Sequence, residues 1–433
     1  MSICRNGVLS PLPRAVASFA QPLLVIAAAL IADPAAAYDG PEWSPFRDSS
    51  NAMMASNRSY EREFVREWEA NPPKGFPTLA TANIDATKDA IKRYANVAKI
   101  GGWRPVPDVQ MQSGTTDPAV ALLRQRLMLT GELKESAFNP EGFDYYLDKA
   151  VKRFQASNGL TPTGIVDKRT IAALNVPASA RLRQLEVNLS RLQELARSPG
   201  KRYVLVNIPA AQIEAVENNK VVSRHAGVVG KIDRPTPILR SAIHQMNFNP
   251  EWILPPTVIE KDLIPKGREM QRANQNVLVK YGIDAYDGAG KKLNPGKLDW
   301  GSGLVHGLQY RQQPGKDNPL GFLKINFHNN YSVYMHDTPS ESLFGRNFRA
   351  ASSGCVRVQG IEQLAGWLLT DDGWSQSGIE QIKESGERRD VRLKRPVPLY
   401  FAYITAWATE DGVVQFRRDL YQKDGLGAKA SDY

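Results

Sequence analysis

Two short stretches decide the interpretation of this chain: Tyr334-Met-His-Asp-Thr-Pro339 and Ser352-Ser-Gly-Cys-Val-Arg-Val358. The first ends a strand-like run and the second precedes a run with helical periodicity. Folding could therefore bring His336 and Cys355 together, although they lie nineteen positions apart. A thiol beside an imidazole is the arrangement of a cysteine nucleophile with its base. The pair predicts a catalytic site in the second half of the chain.

Strand alternation around His336 predicts which side chains share its surface. A hairpin is expected at Asn329-Asn330. Alternation then puts one set of side chains toward the core: Tyr331, Val333 and Met335. It puts the other set on the opposite face, where a substrate could lie: Ser332, Tyr334 and His336. Tyr334 is therefore a candidate substrate-binding residue.

A cysteine is a strong nucleophile only as the thiolate, and a free thiol with a pKa of about 8.5 is mostly protonated at neutral pH. His336 supplies a base, while Arg357 and the start of the following helix-like run favour negative charge on the sulfur. Gly354 lets a ligand approach the backbone closely. The amides of Gly354 and Cys355 could stabilise an oxyanion, each by about 2.7 to 4 kcal/mol. This equipment suits acyl transfer through a thioester.

The N-terminus has the pattern of an export signal. Two arginines precede an apolar run, Ala15 to Ile31, and Pro34-Ala-Ala-Ala37 offers a small-residue cleavage site. We expect residues 1–37 to be a removed signal peptide, and the mature protein to act outside the cytoplasm without a stable membrane span. An uncleaved anchor is the alternative, although the apolar run is slightly short for a span.

The number of cysteines is informative if the chain is exported. The chain has two cysteines, Cys4 and Cys355, and Cys4 leaves with the signal peptide. The exported protein then has no internal disulfide, and a lone thiol in an oxidising compartment is either buried or used. An inert core cysteine is the alternative to a nucleophile.

The charge balance is basic. The formal charge is +10, and it falls to +9 without the first 37 residues. A basic surface attracts polyanions. Export argues against nucleic acid and leaves an anionic envelope polymer or a membrane surface, with plain solubility charge as the alternative.

Pattern and turn signals divide the chain into segments. The expected organisation is a signal peptide (1–37), an N-terminal helical scaffold region (38–115), a three-helix domain (116–178), a linker helix (179–200), a mainly β domain (201–400), and a C-terminal hairpin and tail (401–433). Residues 255–303 are charged, broken by Pro and Gly, and partly helical, as an insertion into a sheet would be. This insertion is either a lid over the site or a plain surface excursion.

The expected helices rest on apolar stripes and turn signals. Within the scaffold region, Ser59–Trp68 and Asn83–Ala98 have helical patterns. In the three-helix domain, Asp167 is positioned to cap a short helix. A further amphipathic helix is expected over Arg181–Arg197, followed by a domain boundary at Ser198-Pro-Gly200.

The three-helix segment resembles the peptidoglycan-binding domain found in many cell-wall enzymes. The resemblance rests on Leu122-Leu-Arg-Gln-Arg-Leu127, Ala150-Val-Lys-Arg-Phe-Gln155, Asn158-Gly-Leu160, Gly164 and Thr170-Ile-Ala-Ala-Leu-Asn175. It covers about sixty residues and implies attachment to the wall. A purely structural role is the alternative, since much of the pattern is the core spacing of any small helical unit.

The stretches around His336 and Cys355 have a resemblance of their own. It is carried by His336-Asp-Thr-Pro339, Ser352-Ser-Gly-Cys-Val-Arg357, Gly315, Asn318-Pro-Leu-Gly321, Val229-Gly230, Arg234-Pro-Thr-Pro237 and Asn249-Pro-Glu-Trp252. Together these resemble the L,D-transpeptidase catalytic domain, specifically the large periplasmic form that has a peptidoglycan-binding domain and a lid-like insertion. The resemblance implies an α+β protein, with a mainly β catalytic domain, a partly helical insertion and a small all-α domain.

The resemblance also implies an activity. Cys355 would attack the L,D peptide bond after the third residue of a tetrapeptide stem and release the terminal D-alanine. The side-chain amine of a second stem would resolve the acyl-enzyme into a 3→3 cross-link, in cell wall biogenesis and the maintenance of cell shape. The expected partners are therefore donor and acceptor stem peptides of peptidoglycan, with carbapenems as inhibitors; no cofactor is expected.

The same resemblance assigns roles to neighbouring residues. His336 matches the general base, and the carbonyl of Asp337 follows it where the family orients the imidazole. This sequence departs from the commonest family motif at Ser353, where many members have a second histidine. The departure bears on the role of Ser353 as a substrate-side candidate more than on the activity. Asn249 and Trp252 are further substrate-side candidates, with a core role as the alternative for Trp252.

Two further questions stay open on sequence alone. An L,D-carboxypeptidase or a wall-protein anchoring enzyme would share the acylation step, and a noncatalytic wall-binding scaffold would share only the fold. The acceptor, amine or water, is not decided. No metal site is expected, because His225, His244, His306 and His328 have no close metal-ligand spacing.

Overall fold

The computed structural model describes residues 76–134 and 138–426. The expected signal peptide, the Ser59–Trp68 helix and the end of the C-terminal tail lie outside the described residues. In the described part of the chain, no helix combines the length and the apolar character that a bilayer span requires.

Helices occupy the first part of the described chain. They are α1 (Ala82–Lys99), α2 (Pro118–Thr130), α3 (Tyr145–Ser157), α4 (Lys168–Leu174) and α5 (Ala178–Leu195). The helix predicted over Asn83–Ala98 is confirmed by α1. Helices α2, α3 and α4 enclose one apolar core that includes Leu123, Leu147 and Phe154, as the apolar stripes predict.

The helix starts of this three-helix unit follow from their capping residues. The Asp117, Asp144 and Asp167 carboxylates accept hydrogen bonds from the first-turn amides of α2, α3 and α4. Such a cap satisfies an amide that has no partner within the helix. The prediction that Asp167 caps a short helix is confirmed.

Helix α5 is a packed element rather than a free linker. Leu185 and Leu192 are buried, as its apolar stripe predicts, but Gln184 and Asn188 are buried as well. Asn188 donates to the Thr405 hydroxyl at 2.6 Å and Gln184 donates to the Arg417 carbonyl at 2.9 Å. These bonds tie α5 to the C-terminal segment, so the helix is an integral part of this compact region.

The second part of the described chain is mainly β. Its strands are β1 (Arg202–Asn207), β2 (Gln212–Glu217), β3 (Lys220–Gly230), β4 (Leu239–Phe248), β5 (Trp252–Ile253), β6 (Ile283–Tyr286), β7 (Gln309–Gln312), β8 (Leu323–Phe327), β9 (Met335–His336), β10 (Ala350–Ser352), β11 (Val356–Val358), β12 (Arg389–Ala402), β13 (Ala406–Ala408) and β14 (Val414–Phe416). Its helices are α6 (Pro256–Val258), α7 (Ile264–Arg272), α8 (Val277–Lys280), α9 (Ile361–Leu368) and α10 (Gln376–Ser385), with a π-helical turn at Ile259–Leu263 and 3₁₀ turns at Pro295–Lys297, Gly303–Gly307, Glu341–Leu343 and Thr370–Asp372.

The main sheet closes on itself. Its strand order is β10-β3-β11-β9-β8-β4-β12-β1-β2, and β2 also pairs with β3. Strand β3 joins the two ends because its first residues pair with β2 and its last residues pair with β11 and β10. The Asn218-Asn219 turn connects β2 to β3, and both asparagines have positive φ, as a tight hairpin turn requires.

The insertion between β4 and β8 has its own sheet and its own core. Strand β7 pairs with β5 and β6, and the core of this insertion includes Trp252, Leu263 and Tyr310. The partly helical character expected here is confirmed by α7 and α8. The unit is larger than the predicted 255–303, because β5 begins before that range and β7 ends after it.

The C-terminal hairpin predicted within residues 401–433 forms, but the boundary predicted before it is wrong. Val397 belongs to β12, which pairs with β4 and β1 inside the main sheet, so the predicted boundary at residue 400 falls within a strand. The hairpin consists of β13 and β14.

Candidate active site

The register of two short strands builds the candidate site. Strand β11 runs parallel to β9, with Val356 opposite Met335 and Arg357 opposite His336. Val356 and Met335 are fully buried in the core. Because neighbouring strand residues point to opposite faces, Tyr334, His336, Cys355 and Arg357 share the other face. The structure therefore brings the two predicted stretches together side by side.

The predicted alternation holds next to His336 and fails farther from it. Val333 and Met335 are buried as expected. Tyr331 is 62% exposed, because Ser332 has φ +56° and this left-handed conformation ends the strand geometry. The Asn329 side chain instead organises the turn, donating to the Val333 carbonyl at 2.8 Å and accepting from the Val333 amide at 3.1 Å.

Cys355 is partly exposed and lies against the core. The Tyr334 hydroxyl and the Lys324 and Arg357 cations each lower the pKa of its thiol, but burial outweighs them and raises that pKa overall. The expectation that Arg357 favours negative charge on the sulfur is confirmed, but its effect is smaller than that of burial. Helix α9 starts at Ile361, after β11, so the expected helix contribution stays a prediction.

His336 is buried, and its tautomer is fixed by the backbone. Its Nδ1 lies 2.5 Å from the Asp337 carbonyl oxygen, and a carbonyl only accepts, so Nδ1 carries the proton and Nε2 keeps its lone pair. Burial, followed by the Arg357 charge, lowers the pKa of His336 to about 3. The imidazole is therefore neutral at neutral pH. The Pro319 backbone is a second hydrogen-bond partner of the ring, and no side chain of the described residues bonds to it.

Arg357 lies buried beside both groups. It is opposite His336 in the strand pair, and its Nη1 donates to the Thr338 hydroxyl at 3.4 Å. Burial lowers the pKa of its guanidinium to about 10, against the effect of Cys355 and Tyr334. It remains charged at neutral pH and supplies a desolvated positive charge to this face.

Lys324 is a site residue that the sequence interpretation missed. It lies directly opposite His336 in the β8–β9 pair, and its Nζ is 4.5 Å from the centre of the Tyr334 ring. Burial lowers the pKa of its ammonium, while Cys355 raises it. The alternation of β8 was the available signal, because Leu323 and Ile325 are in the core and Lys324 must point the other way.

Trp252 and Tyr334 connect the insertion to the site. The Trp252 indole donates to the Tyr334 hydroxyl at 3.1 Å, and the Tyr334 ring meets the His336 ring edge-on at 5.5 Å. Trp252 itself is buried in the core of the insertion, against which Tyr334 packs. Of its two predicted roles, Trp252 therefore has the core one, and it acts on the site by holding Tyr334.

Ser353 is held by a second link to the insertion. The Arg234 guanidinium donates to the Ser353 hydroxyl at 2.8 Å, and it lies 3.8 Å from the Asp262 carboxylate in the π-helical turn. The residue before Gly354 is thus connected through Arg234 to the insertion. This arrangement places Ser353 in a polar network next to the thiol.

The Gly354 amide is already engaged. It donates to the Ser352 hydroxyl at 3.1 Å, and that hydroxyl donates to the Cys355 carbonyl at 2.5 Å. Gly354 has φ +112°, in the left-handed region that favours glycine. The predicted use of the Gly354 amide as an oxyanion donor is corrected accordingly: this residue shapes the turn, and the Cys355 amide is the remaining candidate donor.

Asn249 and the Asp337 side chain have structural bonds. The Asn249 amide donates to the carbonyls of Ile382 and Glu387 at 3.1 and 2.8 Å, which ties the end of α10 to the turn after β4. Its predicted place on the substrate side is wrong. The Asp337 carboxylate accepts from the Phe322 amide at 3.0 Å, so Asp337 serves the site through its carbonyl.

The remaining histidines are paired or stacked. His225 contacts Ser223 and the Gln359 carbonyl, both at 2.9 Å, and His306 lies 2.7 Å from Glu260. His244 stacks on His328 with ring centres 4.1 Å apart. Among residues 76–134 and 138–426, no group of three or more metal-binding side chains could hold an ion.

Comparison with known proteins identifies both parts of the chain. Residues 201–387 match the model of the L,D-transpeptidase catalytic domain, and residues 116–174 match the "Putative peptidoglycan binding domain". A Haemophilus influenzae protein named "Putative L,D-transpeptidase" is 31% identical over 222 residues. That match covers 51% of this chain and 44% of the relative, so the chain spans less than half of the relative's length.

Solved structures of the same class are also found. The L,D-transpeptidase of Xylanimonas cellulosilytica is 16% identical with a TM-score of 0.22, covering 69% of this chain and 100% of that chain. The L,D-transpeptidase of Mycobacterium smegmatis is 14% identical with a TM-score of 0.21, covering 46% and 58%. Sequence identities and TM-scores this low do not support a functional assignment. The assignment rests on the matches to the two family models. The chain thus contains a region that matches the L,D-transpeptidase catalytic domain, preceded by a region that matches a peptidoglycan-binding domain.

Proposed function

We propose that this protein is a peptidoglycan L,D-transpeptidase that forms 3→3 cross-links through a thioester on Cys355. The observation that carries the proposal is the shared face of β9 and β11, where a partly exposed thiol lies with a neutral imidazole and a buried cation. That combination suits nucleophilic attack on a peptide carbonyl. The match of residues 201–387 to the catalytic domain model supports the same reaction class.

The proposed acylation begins from a neutral pair. The Cys355 sulfur attacks the carbonyl carbon of the L,D bond after the third stem residue, and His336 Nε2 takes the thiol proton. The proton then passes to the leaving amine, the carbon–nitrogen bond breaks, and D-alanine departs. Catalytic hydrogen bonds often tighten only when substrate is bound. We therefore expect the hydrogen bond between His336 and Cys355 to form in the enzyme–substrate complex.

The second half of the reaction resolves the thioester. The side-chain amine of an acceptor stem attacks the acyl carbon, the carbon–sulfur bond breaks, and the amine proton returns through His336 to the sulfur. Arg357 and Lys324 stabilise the negative charge that the sulfur carries as it attacks and as it leaves. The Cys355 amide stabilises the oxyanion. Desolvated charges act strongly here because the site is shielded from water.

The two matched domains support the proposal that this chemistry acts on the wall. The three-helix unit would attach the enzyme to peptidoglycan, and the catalytic domain would act on its donor and acceptor stems. Such a substrate lies outside the cytoplasm, which agrees with the proposed signal peptide of residues 1–37 and a periplasmic location. The insertion would act as a lid, because it holds Tyr334 through Trp252 and Ser353 through Arg234 and Asp262.

Carbapenem acylation tests the nucleophile directly. Intact-mass measurement after carbapenem treatment should show one covalent adduct on the wild type and none on Cys355→Ala. Folded wild-type protein with an unmodified mass would support the noncatalytic scaffold instead.

The acceptor is tested separately. With disaccharide tetrapeptide, the proposal predicts cross-linked dimers and released D-alanine. Tripeptide without dimers would show that water is the acceptor, and the enzyme would then be an L,D-carboxypeptidase.

A further inference from the structure

A second cleft lies where the three-helix unit, α1 and the barrel meet; we call it the basic cleft. It encloses about 940 Å³, which is within the usual range of ligand pockets, about 300 to 1,000 Å³. Its walls come from the end of α2, one face of α3, strands β2 and β3, and the β13–β14 hairpin. None of Tyr334, His336, Cys355 and Arg357 lines it.

The walls of the basic cleft are fixed to each other. Arg417, which follows β14, donates to the Ser157 carbonyl at the end of α3 at 2.9 Å. Arg93 on α1 donates to the Gly412 carbonyl in the hairpin turn at 3.1 Å. The cleft is therefore a preformed feature of this packing, and a ligand entering it meets ordered walls.

The charge of the lining is strongly positive. Seven lining residues are basic: Arg93, Lys134, Lys152, Arg153, Arg224, Arg349 and Arg417. Three are acidic: Glu132, Glu214 and Asp411. Arg93, Lys134 and Arg153 are exposed at the rim, where an approaching anion meets them first.

The acidic side chains of the lining already have partners within the protein. Glu214 accepts from the Thr78 amide at 2.9 Å and lies 3.2 Å from the Arg224 guanidinium. The Glu132 carboxylate accepts from the Thr130 hydroxyl, and burial raises its pKa. By contrast, Arg93 and Arg153 donate to backbone carbonyls, which satisfy their hydrogen bonds without cancelling their charge.

The cleft also has apolar surface. Phe76, Pro162, Trp407 and Val414 are part of its lining. An anion with an apolar or sugar-like body therefore fits the cleft better than a small free ion does. Since the cleft is walled partly by the three-helix unit that matches a peptidoglycan-binding domain, the anionic polymer nearest at hand is the wall itself.

We propose that the basic cleft binds the carboxylate-bearing peptide stems of peptidoglycan at a distance from Cys355. The stems carry several carboxylates, and the rim cations would hold them while the catalytic face works on another stem. This inference rests on the proposed wall substrate but not on turnover. It also gives the excess positive charge of the chain a specific location.

The test measures binding without chemistry. Full-length Cys355→Ala protein is sedimented with purified peptidoglycan, with peptidoglycan whose carboxylates are blocked as amides, and with glycan strands stripped of their stems. We expect binding to the first and loss of binding to the other two. Equal binding to stripped glycan or to blocked wall would overturn the proposal.

Charge reversal locates the site. The double variant Arg93→Glu with Arg153→Glu should weaken binding to intact peptidoglycan roughly tenfold, since each exposed ionic contact contributes only a modest binding free energy. Lys297→Glu is the matched control, because it reverses an exposed charge outside the cleft and should leave binding within about twofold. Equal losses in both, or no loss in the double variant, would contradict the assignment.

The neutral variants Arg93→Gln and Arg153→Gln keep the experiment decisive if the double reversal does not fold. Each should weaken binding to intact peptidoglycan by a few-fold at low salt. Carbapenem acylation of Cys355, measured on the same substitutions in the wild-type background, should be unchanged. Failure of acylation would count against the transpeptidase proposal, and retained wall binding in the cleft variants would count against the cleft.

Discussion

His336 in the candidate active site and His225 in the basic cleft are alike in most respects. Both are buried, and both have an Nδ1 next to a backbone carbonyl, that of Asp337 and that of Gln359. Burial lowers the pKa of both, to about 3 and about 4. They differ at Nε2, which in His225 lies 2.9 Å from the Ser223 hydroxyl, while no described side chain bonds to the His336 ring. Burial and pKa therefore do not distinguish the two histidines; the position of His336 next to the Cys355 strand does.

The comparison is tested first by activity, where the expected effect is largest. His336→Gln should lower the rate of carbapenem acylation by about 10² to 10⁴, the usual value of general base catalysis. His225→Gln is the matched control and should change that rate by less than about twofold, because its ring only closes a structural hydrogen bond. Rates would be measured by mass spectrometry over time. Similar losses in the two variants would break the distinction.

The lowered pKa of His225 also predicts a pH-dependent stability. The folded pKa of His225 lies near 4, below the unfolded value of about 6.5. The unfolded state therefore takes up a proton first as pH falls, and stability is lost between about 6.5 and 4. From pH 7 to pH 5 this amounts to about 2 kcal/mol.

In His225→Gln the side-chain amide keeps a hydrogen-bond donor and an acceptor, but it does not become protonated as pH falls. Urea unfolding at both pH values should show that the variant loses about 2 kcal/mol less than the wild type over this interval. An identical pH dependence in the two proteins would contradict the assignment.

Lys324 sharpens the comparison, because the candidate active site has a half-buried cation near its histidine. Lys324→Met should raise the thiol pKa further, since it removes one of the charges that lower it. Iodoacetamide alkylation of Cys355 followed across pH would report this, with the wild-type midpoint already above the ordinary thiol value. Lys316→Met, at an exposed position, is the control and should leave the profile in place. A Lys324→Met profile that coincides with the control would exclude the effect.

The smallest expected difference between the basic cleft and the candidate active site is in their response to salt. The rim cations of the basic cleft are exposed, so raising salt from about 0.05 to 0.5 M should weaken wall binding several-fold. The alkylation rate of Cys355 at fixed pH should barely change, because Lys324 and Arg357 are desolvated. Sedimentation and alkylation in the same buffers provide the two measurements. Wall binding that is insensitive to salt would remove the electrostatic basis of the cleft.

Local signals were predictable from sequence, and contacts between distant strands were not. The Asp167 cap, the Asn218-Asn219 turn and the burial of Met335 depend on neighbours a few residues away. Lys324 depends on the β8–β9 register, and the engagement of the Gly354 amide depends on the rotamer of Ser352. The direction of the Cys355 pKa shift depends on how deeply several elements bury the thiol, which no spacing in the chain reveals.

The place of β12 in the sheet has a consequence for how the protein is made. The match to the catalytic domain ends at residue 387, yet β12 begins at Arg389 and lies between β4 and β1. Val204 near the start of the domain pairs with Leu399 near its end. A chain that emerges N-terminus first cannot complete this barrel until its last long strand has emerged, since such distant pairings form late. The topology itself thus delays completion of the fold around Cys355 until nearly the whole domain has been made.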